Sequence, residues 1–342
     1  MNELSYTFHG KQVSYYLDAS LERLHEWVDP QRSILLVDEQ VSRLHSAKLG
    51  GWRKILIPSG EESKDLRMLE HVTEALVAME ADRKTMLIGI GGGVVTDLTG
   101  WVASVYMRGI PFGFVPSTLL AQVDASIGGK NGINFGAYKN LLGSIRQPDF
   151  ILFDYSLLYS LSEDQWRGGF AEIIKSACIA DLSLFELLEQ RCEDALQRDP
   201  ALVASLVQRC VEIKSRVVET DEFEKNERRW LNFGHTLGHA VEKIEHMAHG
   251  PAVAIGMVAA SKLSERFSGL SPQETRRIVS LIEAYGLPVR LQSEASAISH
   301  LFRMDKKREQ DLVHFVLLPR IGQALVHPIP LSELDALLPT LY

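Results

Sequence analysis

The chain has 342 residues, 46% of them hydrophobic and 23% charged, with a formal net charge of −8. That is the balance of a globular protein long enough for two domains, and its acidity argues against a nucleic-acid or membrane-surface partner. Cys178, Cys192 and Cys210 form no C-x-x-C pair, which points to a reducing compartment and away from a thiolate metal site. Residues 1–12 hold no apolar signal-peptide core, and the best apolar run, 252–260, is too short for a bilayer. A cytoplasmic protein is expected.

Residues 4–8 and 13–17 flank His9-Gly10 and read as a β-hairpin. Residues 33–37, 54–57, 86–90, 112–115 and 150–153 are short strand candidates, most of them apolar throughout. Residues 68–79 and 94–107 have helical spacing. Strands alternating with helices give an α/β N-terminal domain, residues 1–155, with a mainly parallel, Rossmann-like sheet.

The strand at 86–90 runs into Gly91-Gly92-Gly93 and then a helix. Such a junction turns backbone N–H groups and a helix N-terminus toward a phosphate. The run is G-I-G-G-G, not G-x-G-x-x-G, and a plain tight turn uses the same residues. Asp38, at the end of the first buried strand, adds a carboxylate suited to a ribose hydroxyl. Residues 116–140 are rich in Gly, Asn and Lys without periodicity. They read as a long loop in which Gly128-Gly129-Lys130 and Lys139-Asn140 could hold a phosphate.

From about Asp154 the pattern turns helical, giving a mostly α-helical C-terminal domain, residues 156–342, with the active site expected in the cleft between the two. Glu172 and Lys175 share a helix face inside the apolar stretch FAEIIKSACIA, and a buried carboxylate needs a cation partner or a metal. In RRWLNFGHTLGHAVE, residues 228–242, Arg228, Asn232, His235, His239 and Glu242 follow at steps of 4, 3, 4 and 3. On one continuous helix these share a face. Asn and His in place of Lys and Glu set that stripe apart from a solvated one. His249 is expected in a turn before a helix at 252–267, with Pro251 in its first turn. FRMDKK, residues 302–307, is a compact basic element, and 313–318 with 324–328 read as a hairpin weakened by Pro319. Spacing leaves three metal readings open: His235 with His239; Glu172, His235 and His249 from three helices with an open position; or no metal.

Taken in order, GEESK (60–64), GGGVVTD (91–97), YMRGIPF (106–112), PSTLLAQVDASIGGKNGIN (116–134), KN (139–140), AEIIK (171–175), DEFE (221–224), LNFGHTLGHAVE (231–242), HG (249–250) and DKK (305–307) resemble the 3-dehydroquinate synthases of the sugar-phosphate cyclase superfamily. The resemblance implies an enzyme, a carbon–oxygen lyase of the shikimate pathway to chorismate and the aromatic amino acids. It would convert 3-deoxy-D-arabino-heptulosonate 7-phosphate to 3-dehydroquinate and phosphate, using NAD and a divalent metal, zinc or cobalt. By resemblance Glu172, His235 and His249 are the metal ligands. Asp38, Glu61, Lys64, Gly92, Gly93, Asp97, Ser117, Thr118, Lys130, Lys139 and Ser160 fall at cofactor positions. Asp124, Lys130, Asn140, Lys175, Lys214, Arg228, Asn232, His239 and Lys306 or Lys307 fall at substrate positions, and Arg108 at an arginine that reaches the neighbouring subunit of a homodimer.

The implied substrate carries a carboxylate and a phosphate. Lys214 and Arg228 suit the first, and Lys130, Asn140, Asn232 and His239 the second. The chain departs from the family pattern at Pro251, at Lys225-Asn226, at Phe135-Gly136-Ala137-Tyr138 and at Ser160. The competing readings are a sister cyclase of the valiolone or inosose type, whose substrate lacks the carboxylate, and a metal-dependent polyol dehydrogenase.

Overall fold

The computed structural model describes residues 2–136, 138–294, 297–299 and 311–341. The chain divides into two compact units, Met1–Ser162 with Lys214–Phe223, and Glu163–Ile213 with Glu224–Tyr342.

The first unit holds strands β1 (Asn2–Phe8), β2 (Lys11–Leu17), β3 (Ser33–Asp38), β4 (Lys54–Ile57), β5 (Met86–Gly91), β6 (Phe112–Pro116), β7 (Lys130–Phe135), β8 (Tyr138–Ile145) and β9 (Phe150–Phe153). Seven form one sheet in the order β1-β2-β9-β6-β5-β3-β4. Every pair in it is parallel except the β1–β2 hairpin. That hairpin turns through His9 (φ 43) and Gly10 (φ 83), the two positive φ angles a two-residue turn needs to match strand twist. In β3 the residues Ser33 to Val37 are all buried, which is why the run is apolar without alternation. Numbered along the chain, the core strands β3, β4, β5, β6 and β9 lie in the order 2-1-3-4-5. The winding reverses between β3 and β5, and ligands of such sheets bind outside the C-terminal strand ends at that reversal. Asp38 closes β3 there and Gly91 closes β5.

Helices α1 (Glu39–Leu44), α2 (Leu66–Ala78) and α3 (Gly93–Val105) complete the unit's crossovers. Asp65 caps α2 by accepting the Met68 N–H at 2.9 Å. Residues 116–140 are more regular than the sequence suggests. A π-helical turn at Ala121–Ala125 leads into an antiparallel β7–β8 hairpin that pairs Lys130 with Ile145 and Gly132 with Gly143. Glycines inside both strands and the exposure of most of β8 erase the alternation by which a half-buried strand is recognised. β7 packs against α3 so closely that a Cβ on Gly100 would lie 1.9 Å from the Asn131 side-chain oxygen.

The second unit is mostly helical, with α4 (Glu163–Ala180), α5 (Leu182–Gln190), α6 (Cys192–Leu196), α7 (Pro200–Thr220), α8 (His235–Glu245), α9 (His249–Phe267), α10 (Pro272–Ala284) and α11 (Leu331–Leu337). The last seven residues of α7 belong to the first unit. Strands β10 (Leu312–Arg320) and β11 (Gln323–Pro330) pair antiparallel, with a register shift between Leu317 and Arg320 that accommodates Pro319. Leu237, Val241, Ile255, Ala259, Phe315 and Ile329 share one core with Leu334. The basic element at 302–307 lies outside the described residues. Among the described residues, no helix is long and apolar enough to cross a membrane.

The single helix expected across residues 228–242 is two elements. A 3-10 turn, Glu227–Asn232, carries Arg228 and Asn232, and α8 starts only at His235. Gly234 breaks them apart with φ 79. A Cβ at Gly234 would lie 2.9 Å from the Val253 carbonyl oxygen, and one at Gly256 would lie 1.9 Å from the Gly234 carbonyl oxygen. Periodicity counts residues and cannot register this left-handed break, whose cause is the close approach of α9.

Candidate functional site

In the first unit Asp38, Gly92, Gly93, Ser117 and Thr118, among the expected cofactor residues, lie at the ends of β3 and β5. Asp38 caps α1: its Oδ1 accepts from the N–H groups of Gln40 (2.9 Å) and Val41 (3.2 Å) and from the Ser59 hydroxyl (2.7 Å). α3 follows Gly92 with no side-chain cap, so the first-turn N–H groups of a 13-residue helix are left to another acceptor, and an anion suits them. Gly92 and Gly93 keep this approach narrow, since added Cβ atoms would meet the Thr118 methyl at 3.1 Å and the Ala125 methyl at 3.3 Å. Ser117 is buried beside them and its N–H donates to the Gly91 carbonyl at 2.8 Å.

Glu61, Lys64, Asp97 and Asn140 also come together. Lys64 Nζ pairs with the Asp97 carboxylate and donates to Asn140 Oδ1 at 2.5 Å. Burial raises the Asp97 carboxyl above its ordinary range, against the pull of Lys64. Asn134 organises this group and escaped the sequence reading. Its side chain donates to Glu61 Oε1 (2.8 Å) and accepts from the Asn140 N–H (2.9 Å), and its own N–H donates to the Lys64 carbonyl (2.7 Å). Recognising β7 as a strand would have found it. Lys214 Nζ reaches Asp124 twice, at 2.9 Å to Oδ1 and 2.8 Å to the carbonyl. Ser160 donates to the Leu157 carbonyl and meets His45 Nε2 at 2.9 Å. Lys130 and Lys139 are exposed on the β7–β8 hairpin, and Arg108 is exposed just beyond α3 at φ 66.

The second unit holds the candidate metal ligands. Glu172, on α4, is fully buried, and Lys175 Nζ, itself 1% exposed, pairs with its Oε2. Its Oε1 faces the imidazoles of His235 and His249. His235 Nε2 lies 3.5 Å from that oxygen and His249 Nε2 3.3 Å. Three donors about 2.0–2.1 Å from a tetrahedral ion stand about 3.3–3.4 Å apart, so these spacings fit one.

The chemistry agrees. His235 Nδ1 faces the Phe233 carbonyl at 3.2 Å, an acceptor, so Nδ1 carries the ring proton and Nε2 the lone pair. Burial pushes this imidazole down to about 3, so it is neutral. A lone pair facing a carboxylate oxygen repels unless a cation lies between them. Burial works against charge on Glu172 as well, but Lys175, His235 and His249 hold its carboxyl well below the usual range. For His249, burial is outweighed by Glu172 and Glu242, which lift it to about 9, and a cation at Nε2 would take the place of that proton. The i, i+4 alternative puts the His235 and His239 rings 5.4 Å apart, but His239 is exposed and lies outside the Glu172 group.

Arg228 is buried at 2% exposure, and Asn232 Nδ2 donates to Glu224 Oε1 at 2.7 Å. Lys306 and Lys307 lie outside the described residues.

Residues 54–168 match the family model for the 3-dehydroquinate synthase N-terminal domain, and residues 169–308 the one for the C-terminal domain. A 2-epi-5-epi-valiolone synthase from Streptomyces hygroscopicus subsp. jinggangensis 5008, solved with NAD+ and Zn2+, is 28% identical, with a TM-score of 0.87 over 100% of this chain and 98% of that one. A 2-deoxy-scyllo-inosose synthase solved with carbaglucose-6-phosphate, NAD+ and Co2+ is 24% identical, with a TM-score of 0.89 over 99% and 100%. A probable glycerol dehydrogenase from Sinorhizobium meliloti 1021 shares the fold at 16% identity, TM-score 0.63, over 96% of each chain.

Proposed function

Since the chain belongs to the 3-dehydroquinate synthase family, we propose that it is a sugar-phosphate cyclase using NAD and a divalent metal, and that it converts 3-deoxy-D-arabino-heptulosonate 7-phosphate to 3-dehydroquinate and phosphate. NAD would sit at the β3/β5 reversal against Asp38, Gly92 and Gly93, with Glu61, Lys64, Asp97, Ser117 and Thr118 around it. Glu172, His235 and His249 would hold zinc or cobalt. When bound, NAD supplies reversible oxidation of a secondary alcohol, and the metal supplies positive charge to the substrate's hydroxyl oxygens.

The chain's own part is grip and orientation. Asp124 holds the Lys214 ammonium in place at 2.9 Å. Lys130, Asn140, Asn232 and His239 provide donors for the phosphate, and Lys214 and Arg228 for the carboxylate. The phosphate being expelled can take the neighbouring proton itself, so the chain needs no strong base of its own. A homodimer in which Arg108 completes the neighbouring site, and a cytoplasmic location, belong to the same proposal.

One observation carries the acidic substrate: Arg228 is a guanidinium at 2% exposure, the group that takes a carboxylate in two parallel hydrogen bonds. The second reading, a cyclase for a neutral sugar phosphate, draws on the 28% identity to a valiolone synthase. Phosphate release separates them. The heptulosonate 7-phosphate should turn over, with the reaction abolished by a chelator. Sedoheptulose 7-phosphate and glucose 6-phosphate should be poor substrates, and equal turnover of either would replace the first reading with the second.

A further inference from the structure

The two histidines of the Glu172 group are held in different ways. His235 is oriented by a backbone carbonyl, Phe233 O at 3.2 Å, and its side chain is 12% exposed. His249 is 33% exposed and has a carboxylate at its far nitrogen: Glu242 Oε2 stands 3.6 Å from Nδ1, while Nε2 faces Glu172. The chain builds this juxtaposition over a short distance. Glu242 lies in the last turn of α8, which ends at His246 in a left-handed conformation (φ 50), and α9 opens at His249 after Ala248, with no side-chain cap. A carboxylate beside the first residue of a 19-residue helix is also favoured by that helix's dipole.

We propose that Glu242 is a positioning residue for the metal. It holds the His249 ring by Nδ1, keeps Nε2 aimed at the ion beside Glu172, and makes the imidazole a stronger donor. Ligating histidines are commonly braced in this way, and removing the brace costs about 10–100-fold in metal affinity. His235 needs no such side chain, because its brace is the main chain. Tightness of the site is therefore set from one side, by a residue that touches neither ion nor substrate. This inference rests on the reading of Glu172, His235 and His249 as one metal site.

A competing role exists. His239, Glu242 and His249 also place one ligand atom each within 4.8 Å of one another, so Glu242 could be a ligand in its own right.

The test is Co2+ titration of the full chain after chelator treatment, followed by the visible absorption of the bound ion and by elemental analysis. Wild type should take up one equivalent. Glu242→Ala should bind about 10–100-fold more weakly, with a shifted cobalt spectrum. Glu242→Gln, whose amide oxygen can still accept from Nδ1, should fall between them, and circular dichroism identifies any variant that has not folded. Wild-type affinity and spectrum in Glu242→Ala overturn the positioning role and leave the metal site standing. A second equivalent in wild type that vanishes in both Glu242→Ala and His239→Ala overturns it in favour of a ligand role. Undiminished cobalt binding in Glu172→Gln overturns the metal-site reading itself.

Discussion

The polar cluster of the first unit and that of the second are built from similar parts and differ in how they are closed. At α3, Lys64 answers the Asp97 carboxylate and fills Asn140 Oδ1 in the same stroke. At α4, Lys175 answers one oxygen of Glu172, and the other is turned toward two imidazole nitrogens, 3.5 and 3.3 Å away. The first cluster can therefore be a finished scaffold that presents a surface to a ligand. The second turns a carboxylate oxygen and two imidazole nitrogens toward one another, an arrangement that suits a cation.

The largest effect should come from breaking the second cluster. Glu172→Gln or His249→Ala should empty the site and reduce turnover to background, because three donors are the minimum for a metal that keeps an open position. Elemental analysis alongside the activity assay checks this. Full metal occupancy in both variants would falsify the ligand assignment.

Breaking the first cluster should have a different signature. Removing one partner of a fully buried pair costs about 3–5 kcal/mol, and somewhat less here because Asp97 is 20% exposed. Asp97→Ala should therefore lower the thermal midpoint and release NAD together. Lys64→Met combined with Asp97→Leu removes both charges and should recover much of the stability without recovering NAD. Bound NAD, measured by absorbance after gel filtration, distinguishes the two roles. NAD retained by the double variant would mean that the pair is scaffold alone.

How far the sequence reached follows from the same contrast. The parallel core was legible because β3, β5, β6 and β9 are short, mostly apolar segments. The Glu172 group was legible only in part. Glu172 and Lys175 stood out as charges in an apolar stretch, but spacing could not choose between His239 and His249, since that choice lies in the packing of α8 against α9. The β7–β8 hairpin, and Asn134 with it, was lost because glycine and exposed residues interrupt both strands. The return of Lys214–Phe223 to the first unit leaves no trace either, because α7 is one unbroken helix across that point.

Arg228 lies near the unclosed cluster in sequence and gives a smaller, substrate-dependent effect. Arg228→Lys keeps the charge and loses the two-pronged geometry. If the guanidinium holds a buried substrate carboxylate, the change should cost up to about 2–5 kcal/mol in kcat/KM for the heptulosonate phosphate. That is about 30- to several-thousand-fold. Neutral sugar phosphates should lose far less, and metal content should not change. Equal losses for acidic and neutral substrates would show that Arg228 supports the fold rather than reading the carboxylate.

The smallest effect should come from Asp38, where structure and ligand binding can be separated most cleanly. Its Oδ1 does the capping: the Gln40 and Val41 N–H groups and the Ser59 hydroxyl all converge on it. Asn caps a helix about as well as Asp, so Asp38→Asn should leave the thermal midpoint nearly unchanged. The carboxylate's charge and its second acceptor oxygen are then what is lost, and a charged acceptor is worth about 1.5–3 kcal/mol to a hydroxyl donor. If Asp38 takes a ribose hydroxyl of NAD, the Kd of NAD should rise about 10- to 150-fold. Asp38→Ala should show the same rise together with about 1 kcal/mol of lost stability from the cap. Titration calorimetry with NAD, beside thermal melts of both variants, reads the two quantities independently. An Asp38→Asn variant that binds NAD as wild type does, while Asp38→Ala is merely less stable, would leave Asp38 a helix cap and move the ribose contact elsewhere along the β3/β5 reversal.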